Sequence, residues 1–309
     1  MIGPLAAALL ATLISHPHEL RVPVPGASLY TRVVGRGPAM IVLHGGPDFD
    51  SAYLLPDLDR LSDSYRLIYY DQRGRGRSAD GVRPEDVTLA SELDDLDRVR
   101  QHFHLDTVVL LGHSWGTVLA LEYALRHPER VSRLILMNPA PASASDVALL
   151  RKSYLEALGS DMDAQKAILD SAAYKAGDPE AVIARYRIHF EHAFKKRADY
   201  EKMMSAMHED FIRQGKEGIV KARAVEDRLY LDTWKVPGYD LLPKLRSLDI
   251  PTLVIVGDSD FIPPAVASHI AAAIPNATLV TIKDCGHFSY LEKPAEVRAA
   301  FEEFFRRKE

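Results

Sequence analysis

An α/β protein with a doubly wound, mostly parallel sheet and an inserted helical cap is what this sequence predicts. Three observations carry that expectation. Short apolar runs alternate with amphipathic helical stretches over most of the chain. Most of these runs are continuously apolar, the pattern of a parallel strand buried on both faces, rather than alternating. Between Pro139 and Pro237 the rhythm stops, and roughly a hundred residues rich in Ala, Lys, Glu and Met hold no strand-like run.

Taken in order, residues 29–34 read as the first strand, closed by the Gly35-Arg36-Gly37-Pro38 turn. Further strands are predicted over 40–43, 65–70, 108–111, 134–137, 252–256 and 278–282. Over 88–103, Leu89, Leu93, Leu96, Val99 and Phe103 recur at spacings of three and four, which predicts an amphipathic helix. A second helix over 115–127 follows its strand directly and is stopped by Pro128; a third over 295–307 closes the chain. Strand–helix alternation requires right-handed crossovers. The division that follows is a core from residues 1–139 and 237–309 with a cap inserted over 140–236.

Composition narrows the function. The chain has 309 residues, 47% hydrophobic and 26% charged, which is ordinary for a globular protein. Its net charge is −5 and no Lys/Arg block stands out, so no nucleic-acid partner is expected. One cysteine, Cys285, excludes an intrachain disulfide, and the 12 scattered histidines lack metal-ligand spacing, so neither metal nor cofactor is expected. Cys285 reads as a small packing residue. From Ile2 to Ile14 the chain is almost wholly apolar. That is too short for a membrane span, and no basic residue precedes it and no small-x-small site follows. A short helix or arm on the body of the protein, a degenerate export signal, and a surface or subunit-contact anchor are the readings; a cytoplasmic location is expected, with export as the alternative.

The chemistry concentrates in four places. Gly112-His113-Ser114-Trp115-Gly116 stands between an apolar strand and a helix. That is the setting of a nucleophile held on a tight turn, where small neighbours let backbones pass closely. A serine hydroxyl needs a base, and in strand–elbow–helix enzymes an acid and then a histidine follow it in the chain. Gly257-Asp258-Ser259-Asp260 ends one strand and Cys285-Gly286-His287 the next, at the carboxyl edge where such sheets place their sites. His287 is the expected base. Asp260 is preferred over Asp258 as the acid that orients the imidazole. Two amides must hold the oxyanion. Trp115 supplies one, and the His44-Gly45-Gly46-Pro47 loop the other, Gly46 in preference to Gly45.

These segments, with Asp71-Gln72-Arg73-Gly74-Arg75-Gly76-Arg77-Ser78, resemble the α/β-hydrolase superfamily and within it the proline iminopeptidase-like branch. The resemblance spans residues 44 to 287. It implies a catalytic acid with proline four residues on, as Pro264 stands to Asp260, and a structural role for the Asp71–Ser78 arginines. It also implies glutamates in the cap that hold the substrate's α-amine. Here the chain departs: Trp234 is followed by Lys235-Val236, Phe261 follows the acid, and Asp48 stands where a further glycine is usual. Glu191, Glu209 and Glu226 remain as cap acids, read as a solvated helix face. A buried ammonium without a partner is costly. A serine hydrolase acting on small carboxylic esters is therefore expected, with a proline iminopeptidase-type aminopeptidase and a ligand sensor with a slow triad as alternatives. Phe261, Met203 and Met207 are the expected substrate-binding residues, most cap apolar residues serving as packing. A small ester or short peptide is the expected partner.

Overall fold

The computed structural model describes residues 17–307. The apolar segment from Ile2 to Ile14 lies outside them. Eight strands form one sheet in the order β1-β2-β4-β3-β5-β6-β7-β8. They are β1 (His18–Val24), β2 (Ala27–Val34), β3 (Ala39–Leu43), β4 (Arg66–Tyr70), β5 (Val108–His113), β6 (Val131–Met137), β7 (Thr252–Gly257) and β8 (Ala277–Ile282). β1 and β2 pair antiparallel and β2 runs antiparallel to β4, whereas every pair from β4 through β8 is parallel.

All seven expected strands form, and β1 is an addition. Its sequence, HELRVPV, buries only Val22 and Val24, so it lacks the continuous apolar run that marks a central strand. Pro23 sits comfortably in it because β1 is an edge strand, whose outer N–H groups need no ladder partner.

The two faces of the sheet divide the core. Met40 and Val42 of β3 point into one apolar cluster, and Ile41 and Leu43 into the other. This alternation across a doubly covered strand is why each run reads as uninterrupted hydrophobicity. Helices α1 (Leu89–His102) and α2 (Gly116–Arg126) complete the crossovers; Thr88 caps α1 through a reciprocal bond with Ser91.

Between β6 and β7 the chain is helical: α3 (Ala144–Leu158), α4 (Met162–Asp170), α5 (Pro179–His189) and α6 (Arg197–Asp232). Gly215, at φ 66°, breaks α6 into two arms. After β7 come α7 (Pro264–Ala273) and, at the end, α8 (Pro294–Arg306). No helix among the described residues is long and apolar enough to cross a membrane.

Candidate active site

Strand β5 ends at His113, and Ser114 turns the chain into α2 with φ 54°. A left-handed backbone costs a non-glycine residue about 1–2 kcal/mol and survives only where the surroundings impose it. The flanking glycines show what imposes it. A Cβ on Gly116 would stand 2.1 Å from the Leu43 carbonyl oxygen, and one on Gly112 would stand 2.5 Å from that of Gly116. Only hydrogens fit where β3, β5 and α2 converge. The Ser114 hydroxyl lies at the edge of a cavity and makes no hydrogen bond among the described residues.

His287 follows β8 on its loop, 2% exposed, with Nδ1 at 2.9 and 3.0 Å from the two carboxylate oxygens of Asp260. A carboxylate there fixes the proton on Nδ1 and leaves Nε2 free to act as base. Asp260 is itself held: Ile262 donates its N–H to Oδ1 at 2.9 Å, and Asn138 donates Nδ2–H to Oδ2 at 2.9 Å. Asp258 is exposed and accepts instead from the Ser259 hydroxyl and, at 3.4 Å, from the Cys285 N–H. Cys285 is fully buried, and burial raises its thiol pKa, so it packs as a small apolar residue.

The loop after β3 offers one amide and spends another. Gly45 donates its N–H to the Tyr53 hydroxyl at 2.8 Å. Gly46, at φ 116°, borders the cavity, and neither its amide nor that of Trp115 has a partner among the described residues. The Asp71–Ser78 segment braces this loop from behind. Gln72 donates its N–H to His44 Nε2 and its side-chain amide to the His44 carbonyl, both at 3.0 Å. Burial and the nearby Arg75 push His44 down to about 3, so it stays neutral. The segment's arginines bond mainly to carboxylates, Arg73 to Asp95, Arg75 to Glu92 and Arg77 to Asp71.

Ser114, His287, Gly46, Trp115 and Phe261 all line one cavity of about 130 Å³. Met203 and Met207 do not. Both are buried with Tyr200, Met204 and Phe211 along one stripe of α6, and that stripe is spent on packing. The cavity has an aromatic side, with Phe49, Phe190, Phe261 and Phe288, and a charged end that the sequence reading misplaced. Glu226, expected on a solvated face, lines the cavity and accepts a bond from Tyr230 at 2.7 Å. Burial and the neighbouring Asp48 carboxyl push it up to about 8, against the Tyr230 bond and Arg185. Asp48 is raised by burial as well, while Tyr186 donates to it and Arg185 attracts it. Arg185 stacks over Tyr186 at 4.3 Å with a buried, unbonded Nε. Glu191 instead pairs with Arg197, and Glu209 is exposed.

Two other residues escaped the sequence reading. Asn138, at the end of β6, bonds Asp260, the Gly286 carbonyl and Ser289. Glu292 accepts from Gly286 at 2.9 Å and from Lys195 at 2.8 Å, tying the histidine loop to the helical insertion. No group of three or more His, Cys, Asp or Glu among the described residues is placed to hold a metal ion.

The alpha/beta hydrolase fold family matches residues 38–294. A proline iminopeptidase of Lactobacillus helveticus is 29% identical over 296 residues, covering 93% of this chain and 97% of that one. The crystal structure of a proline iminopeptidase from Mycobacterium smegmatis superposes with TM-score 0.65 at 23% identity, over 93% of this chain and 97% of that one. A thermophilic esterase from Thermogutta terrifontis gives TM-score 0.64 at 25% identity, over 94% and 98%.

Proposed function

This chain belongs to the alpha/beta hydrolase fold family, in its proline iminopeptidase-like branch, and from that premise we propose that it is a serine aminopeptidase releasing a residue with a free α-amine. The observation that carries the reading is the charged end of the cavity. Among the residues that line the cavity, one guanidinium, Arg185, accompanies two carboxyls, Asp48 and Glu226, while Arg223 attracts Asp48 from outside the lining. With both ionised, the cavity lining carries one more negative than positive charge, and a substrate ammonium would offset it there. The neutral ester expected above rested on a site without such acids, and Asp48 and Glu226 at the cavity favour an amine-bearing substrate instead.

The chemistry proceeds through an acyl-enzyme. His287 Nε2 takes the Ser114 proton as Oγ attacks the carbonyl carbon. The oxyanion is received by the Gly46 and Trp115 amides, and Asp260 stabilises the imidazolium. The imidazolium then protonates the leaving amine, and a water, deprotonated by His287, hydrolyses the ester at Ser114. No cofactor enters any step. The inserted segment 140–236 acts as the cap that brings Arg185 and Glu226 over the serine. The aromatic side supports a second substrate class, neutral carboxylic esters, which use the same serine without the charged end.

Glu226→Gln tests the assignment. KM for an aminoacyl p-nitroanilide is expected to rise about 30-fold, the equivalent of about 2 kcal/mol, on loss of a desolvated charge partner. kcat for p-nitrophenyl butyrate should stay unchanged. The pH profile adds a second reading. An α-amine titrates near pH 7.7–8.0. Glu226 titrates at about 8. The bound ion pair carries one proton between the two groups, so KM should be lowest near pH 8. Below that pH Glu226 must first lose its proton, and this acid limb should vanish in Glu226→Gln. An unchanged KM in the variant would refute amine recognition at this end of the cavity.

A further inference from the structure

Tyr53 and His113 lie beside the serine, and neither holds a proton that the reaction moves. Between them they join the oxyanion loop to the loop of the base. Gly45 donates its N–H to the Tyr53 hydroxyl at 2.8 Å. The Tyr53 hydroxyl and His113 Nδ1 are 2.8 Å apart, and His113 Nε2 is 3.1 Å from the His287 carbonyl oxygen. Tyr53 and His113 are buried at 6% and 1% exposure, and these bonds are the partners that the described residues give them.

The protons in this chain have one arrangement. A carbonyl only accepts, so His113 Nε2 must carry hydrogen and donate to His287. Neutral imidazole then presents a lone pair at Nδ1, and the Tyr53 O–H donates to it. The phenol oxygen keeps a lone pair for the Gly45 N–H. Burial, and then the neighbouring His287, hold His113 protonation far below the ordinary histidine range.

The loop cannot move independently of Tyr53. A Cβ on Gly45 would stand 2.8 Å from the Ser114 Cβ and 3.0 Å from the Tyr53 hydroxyl. Gly45 is therefore wedged between the nucleophile and the phenol. Tyr53 is fixed in turn, because Tyr290 donates to its carbonyl at 3.0 Å and the rings of Phe49 and Phe288 pack edge-on against it.

We propose that Tyr53 and His113 are positioning residues: their one-way hydrogen-bond chain aims the Gly46 N–H at the reacting carbonyl and ties it to the backbone of His287. The proposal rests on the acyl-enzyme reading of the site. Deleting the Tyr53 hydroxyl would leave the Gly45 N–H and His113 Nδ1 both without their protein partner, and the Gly45–Gly46 turn would relax to find others.

The test compares the wild-type protein with Tyr53→Phe. On p-nitrophenyl acetate, kcat should fall about 10- to 100-fold, the scale of a displaced oxyanion donor, with KM little changed. The inhibition constant of a trifluoromethyl ketone, which forms a tetrahedral adduct with serine, should rise by the same factor as kcat falls. A purely structural loss would lower the amount of active enzyme without moving that constant. Long-range ¹H–¹⁵N spectra should show the wild-type His113 ring as the neutral Nε2–H tautomer, and in Tyr53→Phe the Nδ1 resonance should shift on loss of its hydroxyl donor while Nε2 keeps its proton. A wild-type Nδ1–H tautomer, or a folded Tyr53→Phe with unchanged kcat and ketone affinity, would overturn the proposal. Should the variant fail to fold, the wild-type tautomer decides. Absence of any wild-type turnover, even with the expected tautomer, would overturn the acyl-enzyme reading and the positioning role with it; turnover with the other tautomer would overturn the positioning role alone.

Discussion

Ser114→Ala is expected to lower kcat by about 10⁶-fold while leaving the fold intact, as loss of the nucleophile does where serine and histidine act as a unit. The geometry explains why both halves should hold. The hydroxyl is bonded to nothing among the described residues, so removing it orphans no partner and opens no core cavity. The elbow is imposed by the contacts of Gly112 and Gly116 with β3 and α2, and these do not involve the hydroxyl. The urea midpoint should therefore match that of the wild type. The residual rate is what the Gly46 and Trp115 amides and substrate binding supply on their own. Steady-state kinetics with active-site titration, beside a urea melt, checks both. Near-wild-type turnover would remove Ser114 from the chemistry; a collapsed midpoint would mean that the loss reports unfolding.

Asp260→Asn is expected to cost about 10⁴-fold in kcat with little change in KM, because an amide cannot hold the imidazole in the tautomer that leaves Nε2 basic. Asp260 now accepts from His287, Asn138 and Ile262 at once. Asparagine has one acceptor oxygen for those donors and brings an NH₂ of its own, which selects the wrong ring nitrogen as acceptor. Asp258→Asn should cost less than about threefold, within the range of an exposed surface change. Comparing kcat of the two variants on one ester decides between the carboxylates. A larger loss at Asp258 would reverse the assignment.

Much of this was legible in the sequence because it depends on local patterns. The buried parallel strands announce themselves as unbroken apolar runs, and α1 as a period of three and four. Gly112 and Gly116 bracket Ser114 because a tight elbow admits no side chain. What escaped was set by tertiary geometry. β1 is an edge strand with two buried side chains, too weak a pattern to stand out. Met203 and Met207 share a helical stripe with Phe211, and a stripe does not say whether it faces a cavity or a neighbouring helix. Glu226 reads like any helix-surface acid. Only the fold puts it beside Asp48, 178 residues earlier in the chain and itself noted as a break in the family pattern. Tyr230, one turn after Glu226, was the available local signal, since tyrosine and glutamate four apart can bond along a helix. Asn138 and Glu292 hold the site through partners distant in sequence, and no spacing rule reaches them.

The most direct test of the central claim is a matched pair of substrates on the unaltered protein: an aminoacyl p-nitroanilide with its α-amine free, and the same compound N-acetylated. The leaving group and the scissile bond are identical, so any difference in kcat/KM reports recognition of the ammonium. A free-amine preference of at least about 100-fold, or about 2.7 kcal/mol, is the result predicted from the surplus carboxylate beside Arg185. Equal or faster cleavage of the acetylated compound would contradict the account.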